Sequence, residues 1–171
     1  MPSQKFIWSA ALASGMVGLI IVAILGYGAW QKSKVIIPQP IKKQLSFVIY
    51  WPIKPSPLTN NKTTIKYDPT NKLLSYVSTT TDGTKVVISQ QATPDSFTDV
   101  PQVYTKFISD LQQFSSFDSP NGTVFLVRPK DLSGGQAAVL NSNGTLMFMR
   151  PDKDINTSTW KQIFNNLQVI H

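Results

Sequence analysis

The sequence predicts an α+β protein in which an N-terminal transmembrane helix precedes a curved antiparallel sheet with two helices packed on one face. Three observations predict it: an uncharged apolar run from Phe6 to Gln31, later runs of β-branched and aromatic residues separated by turn chemistry, and two segments with apolar residues at helical spacing. The implied organisation is a short N-tail over 1–5, an anchor over 6–30, a basic proline-containing linker over 31–43 and a soluble α+β domain over 44–171. That last segment is long enough to bury an ordinary core.

The anchor reads IWSAALASGMVGLIIVAILGYGAW, where only Ser9 and Ser14 are clearly polar. About 20 helical residues cross a hydrocarbon core of ~30 Å, so the run is long enough with some tilt. Trp8 at one end and Tyr27 and Trp30 at the other suit the two headgroup interfaces. A cleavable signal peptide is the alternative, with Gly26-Tyr27-Gly28 as a small-x-small site. The apolar stretch far exceeds the roughly 7 to 15 residues of a signal core, which favours an uncleaved anchor. Gly15 and Gly18, paired with Ala11 and Ser14 at i, i+4, offer weak self-association through close helix contact.

In the linker QKSKVIIPQPIKK, Pro38 and Pro40 predict an extended, semi-rigid stalk. Lys32, Lys34, Lys42 and Lys43 lie where anionic lipid headgroups attract them, at roughly 1 kcal/mol each near the surface. Pro52, Pro55 and Pro57 lie about the SFVIYW segment; a proline-rich ligand is the minor alternative, with one P-x-x-P at Pro52 to Pro55.

The net charge of +7 is unevenly placed, because from Gln44 onward eleven Lys/Arg face nine Asp. The excess therefore belongs to the membrane-proximal lysines, and nucleic-acid binding is not indicated. All nine acids are aspartate, and cysteine and glutamate are absent. A lysine-rich, cysteine-free composition fits an AT-biased genome as well as an exported domain.

Within the domain, SFVIY and TTIKYD read as strands. LLSYVSTTT and TKVVISQQ flank Asp82-Gly83, a hairpin signal because such a turn tolerates positive φ. A helix is expected where Phe97, Val100, Tyr104, Phe107, Ile108, Leu111 and Phe114 recur, with Asp99 as N-cap and Pro101 in the first turn. NGTVFLVRP at 121–129 and NGTLMFMRP at 143–151 form a near-repeat, read as two strands ending in turns. QAAVLNS lies between them and pairs with the second through Asn143-Gly144. A closing helix presents Trp160, Ile163, Phe164 and Leu167 on one face, capped by Asn156, Thr157 or Ser158.

The one histidine is His171, so the usual zinc sets and Ser-His-Asp or Cys-His arrangements cannot be assembled from this chain. Asp152-x-Asp154-x-Asn156 imitates the start of a calcium loop, but Thr157 and Ile163 stand where glycine and glutamate belong. Ser133-Gly134-Gly135 lacks the Lys-Ser/Thr ending of a phosphate loop. No cofactor or metal is expected. Arg128 and Arg150, the two arginines, each precede a proline at a strand end. They read as structural, paired with Asp131, Asp154 or carbonyls, or else as two forks for an anionic ligand.

The stretches SFVIYWPIKPSPL, LLSYVSTTTDGTKVVISQQATPDSF and NGTVFLVRP, followed by the capped terminal helix, resemble small single-pass membrane-anchored proteins of candidate-phylum bacteria of the Saccharibacteria type. The resemblance implies an extracytoplasmic α+β domain of unknown function, distantly like lipoprotein-carrier and sigma-factor-regulator sensor folds, with no catalytic residues to carry over. The positive-inside rule alone would put the domain in the cytoplasm, since Lys5 and the amino terminus face four lysines across the anchor. The resemblance, the missing cysteines and the short N-tail favour the outside. The expectation is a single-pass, membrane-tethered extracytoplasmic interaction or sensing domain without catalysis, its partners membrane lipid and an envelope protein or peptide. An envelope carrier with an apolar cavity for lipid or acyl chains, and an envelope hydrolase using Ser/Lys or Asp, are the competing expectations.

Overall fold

Two-residue and three-residue turns set the register of the sheet. Asn143 and Gly144 both have positive φ, 49° and 72°, which lets Ser142 pair with Thr145 across a tight hairpin. At Asp82-Gly83 the glycine has φ 87° and the Thr80 N–H donates to Thr84 O, closing a second hairpin.

A computed structural model describes residues 37–130 and 135–170. The elements are α1 (Gln39–Lys42), β1 (Ile49–Pro52), β2 (Leu58–Asp68), β3 (Leu73–Thr80), β4 (Lys85–Ala92), α2 (Asp95–Asp99), α3 (Pro101–Asp110), β5 (Gln113–Ser119), β6 (Gly122–Val127), β7 (Ala137–Ser142), β8 (Thr145–Pro151), α4 (Thr157–Asn165) and β9 (Leu167–Ile170). No helix among the described residues is long and apolar enough to cross a membrane. The predicted anchor, with Trp8, Gly15, Gly18, Tyr27 and Trp30, lies outside the described residues, as do Lys32, Lys34, Asp131, Ser133, Gly134 and His171.

The α+β class holds. Seven strands form an antiparallel sheet in the order β2-β3-β4-β8-β7-β6-β5, and β1 pairs with β9 in a separate ribbon. From β4 the chain crosses by α2 and α3 to β5 at the far edge, then returns strand by strand to β8 beside β4. Leu74, Gln90, Met147, Leu140, Val124 and Phe117 oppose one another in a row, so they share one face. Their neighbours Ser89, Phe148, Val139 and Phe125 occupy the other.

These rows correct one expectation: the helices cover both faces, not one. Helix α4 packs on the first face, where Phe164 meets Phe117 at 5.9 Å between ring centroids. Helix α3 packs on the second, with Ile108 buried among Val127, Ala137, Val139 and Leu146. The physical reason lies in β7, whose first four residues are all buried; consecutive apolar residues point to both faces, and both must be covered.

Three smaller expectations are also corrected. Residues 39–42 form a helical turn rather than an extended stalk, because Pro40 falls in the first turn, where its missing N–H is harmless. The long aromatic helix is two helices, broken at Val100 (φ −132°, ψ 88°), since the residue before Pro101 is driven from the helical region. Asp99 is thus the last residue of α2 and not a cap, and Phe114 belongs to β5. Leu167 begins β9 rather than extending α4, although it remains buried.

A buried polar clamp fixes the ribbon to the sheet. The Tyr50 N–H donates to Gln90 Oε1 at 2.7 Å, and Gln90 Nε2 donates back to Tyr50 O at 2.9 Å. The Gln90 amide thereby does for β1 what a neighbouring strand would do. Tyr76 also donates its hydroxyl to Tyr50 O, and burial raises its pKa well above the ordinary tyrosine value.

Candidate functional site

The sheet is not covered equally on its two sides. On β3 buried and partly open residues alternate, and on β4 the same alternation leaves Val87 outward between inward Val86 and Ile88. Val87 is 40% exposed, because α2 and α3 pack over β6, β7 and β8 on that face and stop short of β4.

Where the cover ends there is a cavity of 370 Å³ lined by Val87, Ser89, Leu111, Pro129, Ala137, Phe148 and Arg150. Each wall has a local cause. Leu111 sits at the end of α3, and its carbonyl accepts the Arg128 N–H at 3.1 Å, which holds Pro129 alongside. Phe148 is braced edge-on by Phe107 at 6.0 Å and 88°. Arg150 pairs in register with Val87 and shares the face of Phe148 by strand alternation. Its side chain forms no ion pair among the described residues.

Arg128 has a different environment. Its guanidinium donates to Asp154 at 2.5 Å and lies 5.2 Å from the centre of the Phe114 ring. Both partners are about half exposed, 44% and 54%, so the pair adds little stability. The two arginines of the repeat are therefore unlike. The repeat aligns Val124 with Leu146, whereas the sheet places Val124 in the row of Leu140 and Met147. A slip of one residue turns corresponding side chains to opposite faces. Only Arg150 lines the cavity.

The acidic run before α4 has three separate structural tasks. Asp152 accepts the Lys85 N–H at 3.0 Å, Asp154 binds Arg128, and Asn156 caps α4 by accepting the Thr159 N–H at 2.8 Å. Among the described residues no cluster of three His, Cys, Asp or Glu is placed to hold a metal. Lys42 lines a second hollow of 400 Å³ beside the ribbon, with Leu45, Phe47, Val48 and Ile170, and Lys43 is exposed at the end of α1.

One buried polar atom stands out. The Tyr104 hydroxyl, on α3, has no hydrogen-bond partner among the described residues, and burial pushes its pKa up to about 12. It sits in an aromatic group with Phe97, Phe107 and Phe125.

Sequence reasoning singled out Arg150 but missed the cavity it lines. A signal was present in KVVIS, where Val87 breaks the alternation by adding an apolar residue on the outward face. Comparison with protein-family models, with curated proteins and with solved structures gives no match.

Proposed function

We propose that the chain is a membrane-tethered extracytoplasmic domain that binds an envelope protein or peptide without catalysis, and that the open half of the α3 face is its docking surface. The observation that carries this reading is the uneven cover of the sheet. One face is sealed by α4 and the ribbon, with Leu74, Ile88, Leu140 and Met149 fully buried, while Val87 on the other reaches solvent beside an apolar cavity. A mostly apolar hollow with a few polar groups at its wall is the kind of concave surface a ligand fills.

The cavity walls carry one hydroxyl, Ser89, one cation, Arg150, and otherwise apolar groups. That composition suits recognition better than a Ser/Lys or aspartate mechanism, which needs two reactive groups within hydrogen-bond reach. The carrier reading is less favoured, because an open-sided groove leaves much of an acyl chain in water. The tether rests on the apolar run over 6–30, and the outward placement on the resemblance and the cysteine-free composition.

Protease added to intact spheroplasts tests the placement. Digestion of the C-terminal domain, alongside a known exported control, is the expected result. Protection until the membrane is permeabilised overturns it.

A further inference from the structure

We infer that the groove, taken as the docking face proposed above, recognises a peptide that sets an apolar side chain beside a carboxylate. Arg150 stands at the edge of an apolar floor made by Val87, Phe148 and Leu111. Lys85 lies on the same face of β4 as Val87, two residues away. Among the described residues, two acids that follow Arg150 in sequence have partners elsewhere: Asp152 accepts the Lys85 N–H and Asp154 pairs with Arg128. Among the described residues no carboxylate pairs with Arg150, so the rim offers a cation to whatever fills the groove.

An arginine fork matches a carboxylate with two parallel hydrogen bonds, which adds direction as well as strength. An apolar group on the floor and an acid on the rim must then be neighbours in the ligand. A peptide supplies both within one or two residues. A long acyl chain gains affinity in proportion to the methylenes it buries, but a hollow open on one side buries only part of it. Ser89, at the wall, can hydrogen-bond a peptide backbone, and an alkyl chain gives it nothing.

The test uses the full chain in phosphatidylcholine nanodiscs and a fluorescein-labelled hexapeptide ending in Leu-Phe, with a free or an amidated C-terminus. Saturable binding of the free acid, at least about tenfold tighter than the amide, is expected. Arg150→Gln should bring the free acid down to the affinity of the amide. Val87→Asp should weaken both. Arg150 is exposed, so unchanged melting of Arg150→Gln is expected and separates lost binding from lost folding, while Val87→Asp is read only under conditions where its melting curve shows it folded. Equal affinity for acid and amide, or no effect of Arg150→Gln, overturns the inference, as does decanoate displacing the peptide more strongly than unlabelled peptide does. If neither peptide binds while a photo-crosslinker at Val87 still captures a protein in cells, the ligand class is wrong and the docking face stands. If that crosslink is also absent, the docking reading fails with it.

Discussion

Trp160 is fully buried, and its indole N–H donates to Gln136 Oε1 at 3.0 Å, an oxygen that also accepts the Ile155 N–H. Trp160→Ala removes a large aromatic from the centre of the α4 face, and calorimetry should show a loss of roughly 3–5 kcal/mol. Gln136→Leu keeps the volume but leaves two buried donors without a partner, at about 1–3 kcal/mol each. Tyr104→Phe should have the opposite character. Its hydroxyl is buried without a partner among the described residues, so removing it is expected to leave the melting temperature unchanged or raised. Because burial favours the protonated phenol, wild-type stability should fall as pH rises from the ordinary tyrosine value near 10 towards about 12, and Tyr104→Phe should make that alkaline limb less steep, with the share of buried Tyr76 left in place. The apolar residues of α4 were legible because Trp160, Ile163 and Phe164 repeat at i, i+3, i+4. Gln90 and Gln136 were not. Amide side chains ordinarily read as surface, and what buries these two is a partner 40 and 24 positions away.

At the level of elements, short turns carry much of the information. Gly144 sits at φ 72° with nothing within 4 Å of the place a Cβ would occupy, so Gly144→Ala meets backbone strain and no clash. Denaturant titration should report a loss of about 1–2 kcal/mol. In the β3–β4 turn, hydrogen bonds from the Thr80 hydroxyl and then from Thr84 hold Asp82 below the ordinary carboxylate range. Ionised Asp82 therefore favours the fold above about pH 4, and its contribution disappears as pH falls through the lowered folded value. Asp82→Asn should make stability less steep on the acid side, which a series of acid melts would measure. Both turns were visible in the sequence because Asp-Gly and Asn-Gly favour positive φ. The break at Val100 was visible too, in the proline that follows it, but the aromatic period ran through the break and dominated the reading. Strand β9 was invisible because LQVI continues the apolar pattern of α4; its pairing with β1 depends on residues more than a hundred positions earlier.

Across the molecule, the choice of one covered face or two was written in strand composition. β3 and β4 alternate and need one cover, whereas β7 is apolar at consecutive positions and needs two. The groove lies at the border between these two kinds of strand, where the cover of α3 ends at Phe148 and Val87 continues beyond it. Its position follows from tertiary packing, so residue order alone could mark Arg150 as a candidate but could not give it a site. A fragment over 37–171 should melt cooperatively and be indifferent to reductant, since cysteine is absent. A fragment that remains unfolded would mean that a preceding segment completes its core. The central claim, that the open half of the α3 face is the docking surface, is tested most directly by site-specific photo-crosslinking in native cells. A photoreactive residue at Val87 should yield one discrete adduct that disappears with Arg150→Glu, while the same residue at Lys161, exposed on α4 across the sheet, yields none. No adduct at Val87, or equal adducts at Val87 and Lys161, would contradict it.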